Sequence, residues 1–487
     1  NPFLDESISS TSEDTFEKIL PNSILDKLGI EYYFTAIDGS ISTPIETSHG
    51  FVYQTSAANE LKVPNLSFGG KRENYRIISI PNKLEDNLVQ SIFGVLGDYD
   101  KTKWRLVRYQ NNNNEDFPAF NRIEQGKGYW FNSIENVEIK LGAGTSPENN
   151  QGKPFVLALA AGWNQIGNPY PFDVSWNDVL ALNGNPTTVS GLYTYNPSNI
   201  SFNKDVVILK AWEGGFVRAD QAVNLTIPVT VKQTGGRQGR RNEIAGKKLD
   251  DSSWFVPITV TQGVAINQLG GFGMHPEASR SKDKFDEHSL PRFLNYLELN
   301  AYHNEYFMPK FTGDVVPTSE NYTWDFVIES NFEGPTTQIQ WDNLSLGVND
   351  AQLLLVDVVE NIIVDMKMNS YYVFSSSAKR EFKVLFAIDE KHLQPQYTTV
   401  GKPYPNPFTS LVTLPILSAG NGHLQVAVYD MMGKQVKLLL NDVLPQGLHE
   451  VTWDGLDEQG SKVAGGVYIY NMRVTGGAPQ NGRLVVK

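Results

Sequence analysis

The sequence predicts an all-β protein, a string of β-sandwich and immunoglobulin-like modules. Short runs that alternate apolar and polar residues recur along the chain, the period-two signature of strands with one buried face. Gly (41), Pro (26) and Tyr (21) are plentiful while charged residues make up only 20%. That balance suits short strands joined by tight turns. At 487 residues the chain is too long for one hydrophobic core, so about three or four domains are expected.

Composition also excludes. A net charge of −13 argues against nucleic acid as a partner, because binding phosphate backbones requires a basic face. The one basic cluster, Arg237, Arg240, Arg241, Lys247 and Lys248, is Gly-rich and has no aromatic residue to stack on bases. It reads as a solvated linker or hairpin tip. The absence of cysteine removes disulfides, thiolate chemistry and Cys-ligated zinc, and fits a bacterial surface protein that relies on large β cores. No window approaches about 18 uninterrupted apolar residues, so no membrane span is expected. The opening NPFLDESISS lacks the basic and apolar regions of a signal peptide. The chain is therefore expected to be mature or truncated, with its true start upstream.

Residues 1–60 open the string. GIEYYFTA at 29–36, followed by the turn residues Asp38, Gly39 and Ser40, resembles the F strand and FG turn of a fibronectin type III domain. The resemblance implies the tail of such a sandwich.

Residues 61–248 contain an internal repeat. YRIISIPN at 75–82 is echoed by WNQIGNPY at 163–170. Each precedes a helix-like stretch, LVQSIF at 88–93 or WNDVLA at 176–181, and then an aromatic strand, WRLVRY at 104–109 or LYTY at 192–195. Each closes on a Gly-aromatic turn, GKGYWF at 126–131 or EGGFV at 213–217. Two related β units, about 75–131 and 163–217, follow from this order. Trp130 and Phe216 should then be equivalent, each packed on its opening strand, at Ile80 and Ile166. GWNQIGNPYP and GKGYW also resemble a module frequent in secreted multidomain proteins of Bacteroidetes, which carries no catalytic assignment.

Residues 249–392 read as a further β-sandwich. WFVPITV at 254–260, WDFVI at 324–328, YYVF at 371–374 and EFKVLFA at 381–387 alternate, the last with Phe382, Val384 and Phe386 on one face. LLLVDVV at 353–359 is expected to be a strand buried on both sides, and the polar stretch 275–288 an exposed loop. The stretch 394–404, with Pro395 and Pro403, reads as a linker.

Residues 402–487 suit a small immunoglobulin-like sandwich of seven strands. Their markers are Tyr404, Pro405, Asn406, Pro407 and Phe408, then Tyr429 and Asp430, then Gly433. Trp453, Asp454 and Gly455 follow, then Gly466, Val467 and Tyr468, and finally RLVVK ending at Lys487. This ordered set resembles the C-terminal sorting domain of type IX secretion cargo and the related immunoglobulin-like domain of the flagellar hook-cap protein. The resemblance implies export to the outer cell surface and recognition by the type IX translocon with its shuttle and sortase components. It usually also implies removal of the domain with attachment to a surface lipid. Other surface proteins or polysaccharide are further expected partners. An autonomous β module with an accessible edge suits such recognition, and its deletion should leave the other domains folded. The plainer reading, another structural immunoglobulin-like repeat, stays open.

Catalytic templates fail. HExxH, GxSxG, Walker A and a strand-to-helix GxGxxG are all missing from the sequence. The seven histidines, His49, His275, His288, His303, His392, His423 and His449, are dispersed, and the three in the sandwich lack zinc-ligand spacing. Asp283, Asp286 and Glu287 cluster in the polar loop. Asp454 and Asp457 sit in a Gly-bounded turn, where calcium competes with ordinary Asx turns. Among the tryptophans, Trp104, Trp130, Trp163 and Trp254 read as core, while Trp176 and Trp212, beside Asn and Gly turns, read as exposed stackers. Two function classes remain: a non-catalytic surface protein (adhesin, structural component or scaffold), or the non-catalytic C-terminal part of a larger secreted peptidase or glycosidase.

Overall fold

The computed structural model describes the strands Ser9–Ser12, Thr15–Glu17, Tyr33–Asp38, Ile41–Glu46 and Gln54–Thr55. It further describes residues 62–64, 69, 71, 74–136, 138–147, 154–228, 249, 253–347, 349–395, 398–420 and 422–487. The fold is all-β, with short helices at Val89–Phe93 and Trp176–Leu182. Two compact units form, Asn1–Pro197 with Asn203–Arg241, and Ser198–Phe202 with Asn242–Lys487. Tyr33–Asp38 pairs with Ile41–Glu46 as an antiparallel hairpin. The turn residues Gly39 and Ser40 and the basic cluster at 237–248 lie outside the described residues.

In the first unit each repeat builds its own core beneath a two-strand pair. Arg76–Ser79 pairs with Gly128–Ser133, and Gly162–Gly167 pairs with Gly214–Ala219 in the same antiparallel sense. Val89, Ile92 and Phe93 of the first helix face Ile78, Tyr129 and Phe131. Trp176, Val179 and Leu180 of the second face Ile166 and Val217. Where the two pairs cross, backbone meets backbone. A Cβ on Gly167 would lie 2.3 Å from the Lys127 carbonyl oxygen, and one on Gly128 or Gly214 would lie 2.5 Å from that of Ile166. The glycines of GKGYW, IGNPYP and EGGF are therefore a steric requirement of the crossing. Matching hydrogen bonds join the halves, Ser79 N–H to Trp212 O and Gly167 N–H to Gly126 O, both at 2.9 Å. Their acceptors, Gly126 and Trp212, share a positive φ of 77° and 68°.

Trp130 and Phe216 are equivalent and buried, but their partners differ from expectation. Register sets Trp130 opposite Ile77 rather than Ile80, and Phe216 opposite Gln165 rather than Ile166. Ile80 and Ile166 face the two separate cores. Both aromatic side chains instead enter a seam between the repeats. There Trp130 meets Tyr195 at 4.9 Å and Phe216 at 6.3 Å, and Trp163 meets Tyr193 at 5.3 Å.

In the second unit one hydrogen-bonded path folds over itself as a sandwich. Its order is Ile362–Asp365, Gln352–Asp357, Lys379–Ala387, Asn321–Ser330, Leu297–Tyr302, Lys310–Val316, Ala265–Met274, Trp254–Gln262, Thr336–Gln340 and Tyr371–Ser375. Trp254, Phe272, Trp324, Phe374, Phe382 and Phe386 fill the space between the layers. Near one end of the path a buried ion pair joins neighbouring strands, Arg380 to Asp357 at 2.7 Å. Tyr372 O–H also donates to Asp357, at 2.9 Å.

Two expectations change here. The stretch 275–288 is not a free loop. His275, Phe285 and His288 are buried, and Glu287–His288 adds a short strand beside Lys310–Val316. Nor is 394–404 a free linker. Leu393, Pro395 and residues 398–401 are buried, and Thr399–Val400 pairs with Val412–Ser418.

Candidate functional site

Seven strands form the C-terminal module. One sheet runs Thr399–Val400, Val412–Ser418, Gly447–Trp453, and the other Gln435–Val443, His423–Tyr429, Gly466–Val474, Gln480–Val486. Alternation places Val412, Leu414 and Ile416 of the first sheet against Leu424, Val426, Val428, Tyr470 and Met472 of the second. Such face-to-face packing of two antiparallel sheets is the immunoglobulin-like arrangement.

Strand register divides the module into two ends. Ser418 opposite Gly447, His423 opposite Val443 and Met472 opposite Gln480 mark the end beside the sandwich. Val412 opposite Trp453, Tyr429 opposite Gln435 and Gly466 opposite Val486 mark the far end. The sorting-type markers, scattered over more than 80 residues of sequence from Tyr404 to Lys487, gather toward that far end.

The YPNPF segment clasps the terminal strand. Phe408 N–H donates to Val485 O and Lys487 N–H to Phe408 O, both at 2.9 Å. Asn406 donates through Nδ2 to Arg483 O at 2.7 Å and accepts at Oδ1 from Val485 N–H at 2.8 Å. The Tyr404–Pro405 and Asn406–Pro407 peptides are cis. Phe408 is buried against Trp453 at 5.5 Å, and Trp453 against Tyr468 at 5.3 Å. Trp453 Nε1 donates to Leu456 O at 2.9 Å and Tyr468 O–H to Ala464 O at 2.8 Å. Tyr404 O–H donates to Glu450 at 2.7 Å. Desolvation and that carboxylate push its phenol up to about 12, so it stays a donor.

Asp turns shape the rest of this end. Asp430 Oδ1 accepts from Met432 N–H at 2.9 Å and Lys434 N–H at 3.0 Å, with Gly433 at a φ of 84°. The turn lifts Met431 and Met432 into solvent, 69% and 90% exposed. Asp454 Oδ1 accepts from Leu456 N–H, and Asp457 Oδ1 accepts from Gln459 and Ser461 N–H. Both carboxylates, the two weak calcium candidates, are thus engaged as Asx-turn acceptors. The 456–461 turn also folds over the start of the Gln435–Val443 edge, with Glu458 N–H on Val436 O at 3.0 Å and Leu438 N–H on Glu458 Oε1 at 2.7 Å. Val467 pairs with Val485 inside the sheet.

Elsewhere the structure rearranges the candidates. Trp176 and Trp212 are buried, not exposed. Trp212 reaches into the core of the first repeat, and Trp176 opens the second helix. His288 packs tilted against Phe311 at 4.1 Å, His303 meets the same ring edge-on at 4.9 Å, and His275 packs tilted against Phe285 at 4.1 Å. His303 lies 3.5 Å from Asp314, whose hydrogen bond raises the imidazole to about 8. Among the described residues no three His, Asp or Glu side chains converge to hold a metal ion.

Sequence reasoning missed an acidic network on Leu297–Tyr302 and its neighbours. Glu329 accepts from Arg292 at 2.7 Å, Asn300 at 2.9 Å, Tyr302 at 2.6 Å and Lys310 at 3.0 Å. Burial alone would raise its carboxyl, but the Tyr302 and Lys310 hydrogen bonds and the Arg292 charge hold it at about 2. A carboxylate so encircled is a brace between strands. No motif announces it, because its members come from four separate segments.

The module's residues 412–478 match the family model of the FlgD Ig-like domain. No curated protein matches the chain in sequence. Among solved structures, dimeric latent PorU from Porphyromonas gingivalis is similar at 14% identity, with a TM-score of 0.19, over 48% of this chain and 30% of that one. A Salmonella alpha-2-macroglobulin variant is similar at 10% identity, with a TM-score of 0.14, over 92% of this chain and 37% of that one. The chain thus spans well under half the length of either. Among the described residues no helix is long and apolar enough to cross a membrane.

Proposed function

We propose that this is a non-catalytic protein of the outer cell surface, exported by type IX secretion through its C-terminal immunoglobulin-like module. The observation that carries the reading is the gathering of the marker residues toward one end of the module, away from the sandwich. A sorting signal must be legible on a folded protein, so it belongs on the surface that the rest of the chain leaves open. On that end two methionines stand exposed on a rigid Asx turn. Methionine is costly in solvent and adapts well to a partner's apolar pocket. The partner in this reading is a component of the translocon or its shuttle and sortase machinery.

The test is fractionation of cells producing full-length Met431→Asp/Met432→Asp protein. Both side chains are exposed, so folding should persist, as circular dichroism would check. The reading expects the folded variant to accumulate in the periplasm. Its normal appearance at the cell surface would defeat this role for the far end.

A further inference from the structure

We infer that the C-terminal module is not a detachable tag but a fixed half of one body with the sandwich. The inference goes beyond the export reading and stands without it. Leu354, Val356, Leu385 and Ala387 of the sandwich share a buried apolar cluster with Leu393 and with Leu417 of the module, and Ile363 and Leu448 pack at its rim. Leu393 is fully buried and Leu417 is 3% exposed. Neither side closes this cluster alone.

The chain that crosses the joint is tied on both flanks. Before it, Asp389 caps the turn Glu390–His392, accepting from His392 N–H at 3.0 Å, and Gly447 of the module faces Glu390. After it, Gly401 N–H donates to Pro415 O at 2.7 Å. Gln480 serves as a buckle. Its Oε1 accepts from Val400 N–H at 3.0 Å and Thr399 Oγ1 at 3.2 Å, and its Nε2 donates to Thr398 O at 3.0 Å. Thr398 Oγ1 in turn accepts from Ala419 N–H at 3.0 Å.

A processing protease needs several extended residues on both sides of the bond it cuts. Here Leu393, Pro395, residues 398–401 and Pro403 are buried, and Thr399–Val400 is already paired as sheet. Removing the module would also bare the sandwich's four apolar side chains to water. The two parts are therefore expected to stay together once folded, and cleavage between them requires the joint to open first.

Hydrogen exchange on the purified full chain tests this, with limited digestion by proteinase K as a second readout. Leu417→Asp drives a carboxylate among Leu354, Val356, Leu385 and Leu393. Exchange should quicken at least ~10-fold in Gln352–Asp357 and Lys379–Ala387, on the far side of the joint. A cut between Leu393 and Tyr404, slow in the unsubstituted chain, should accelerate similarly. Gln480→Ala leaves both cores intact and should quicken exchange at 398–401 by roughly 3-fold. If Leu417→Asp unfolds the module while the two sandwich strands keep their exchange rates, the parts are independent and the inference falls. Cleavage of the unsubstituted chain at this joint as fast as in the variant overturns it equally.

Discussion

Asp286, Glu287 and His303 occupy one corner of the sandwich, where the 275–288 stretch packs on Lys310–Val316. Asp286 Oδ1 accepts from Val315 N–H at 3.0 Å and Oδ2 from Asp283 N–H at 2.9 Å. Burial nevertheless pushes its carboxyl up to about 7, with Asp314 and Asp283 adding repulsion, and desolvation pushes Glu287 up to about 8. His303 also faces Glu305 at 3.4 Å. A carboxyl with a raised pKa stabilises the fold only while protonated, so its contribution is lost as pH climbs from the ordinary carboxylate range to 7 or 8. His303, raised to about 8 chiefly by its hydrogen bond to Asp314, stabilises below about 6.5 and loses that contribution by about 8. All three act in the same direction. Denaturant midpoints should therefore fall as pH rises from about 4 to 8, then level, and Asp286→Asn should flatten the slope. A stability that rises over that range would contradict the assignment. At the far end of the module, Phe408→Ala should cost about 3–5 kcal/mol in urea unfolding, because it empties the Trp453 contact beneath the terminal strand.

Pairs of strands explain how much the sequence could reveal. The repeat was legible because each half needs the same parts in the same order, an opening strand, a short helix and a glycine turn before an aromatic. The partners of Trp130 and Phe216 were not, because adjacent residues of a strand face opposite sides. Tyr129 and Phe131 took the local core, leaving Trp130 for a seam that exists only once the halves cross. Trp212 misled for a similar reason. Its neighbouring Glu213-Gly214-Gly215 run looked like a surface turn, yet it lies in the crossing itself. Gly167→Ala, a single methyl at that crossing, should destabilise the first unit by about 3 kcal/mol, since the facing Lys127 carbonyl is backbone and cannot step aside. Trp130→Ala and Phe216→Ala should each cost about 3–5 kcal/mol in the same unit. Calorimetry that leaves this unit's transition unmoved would dismiss the crossing.

For the whole molecule, the all-β class followed from alternation and composition, and the sites of the markers did not. Strand-forming runs are local, whereas the gathering of Tyr404, Asp430, Trp453 and Tyr468 depends on how sheets close. The joint did leave a trace. Leu353 and Leu355 face the sandwich core while Leu354 and Val356 face the module, so the run LLLV carries apolar residues on both faces. In Lys379–Ala387 alternation likewise breaks, from Glu381 and Lys383 to Leu385 and Ala387. A strand apolar on both faces demands a second cover, and here that cover is the C-terminal module. The polar stretch 275–288 hid its anchors, Phe285 and two histidines, among charges.

The decisive test is the intact mass of the chain recovered from the outer surface of its native cells. Protein at the surface should still carry residues 398–487. Protein confined inside the cell envelope, or surface protein that ends before Thr398, would contradict it.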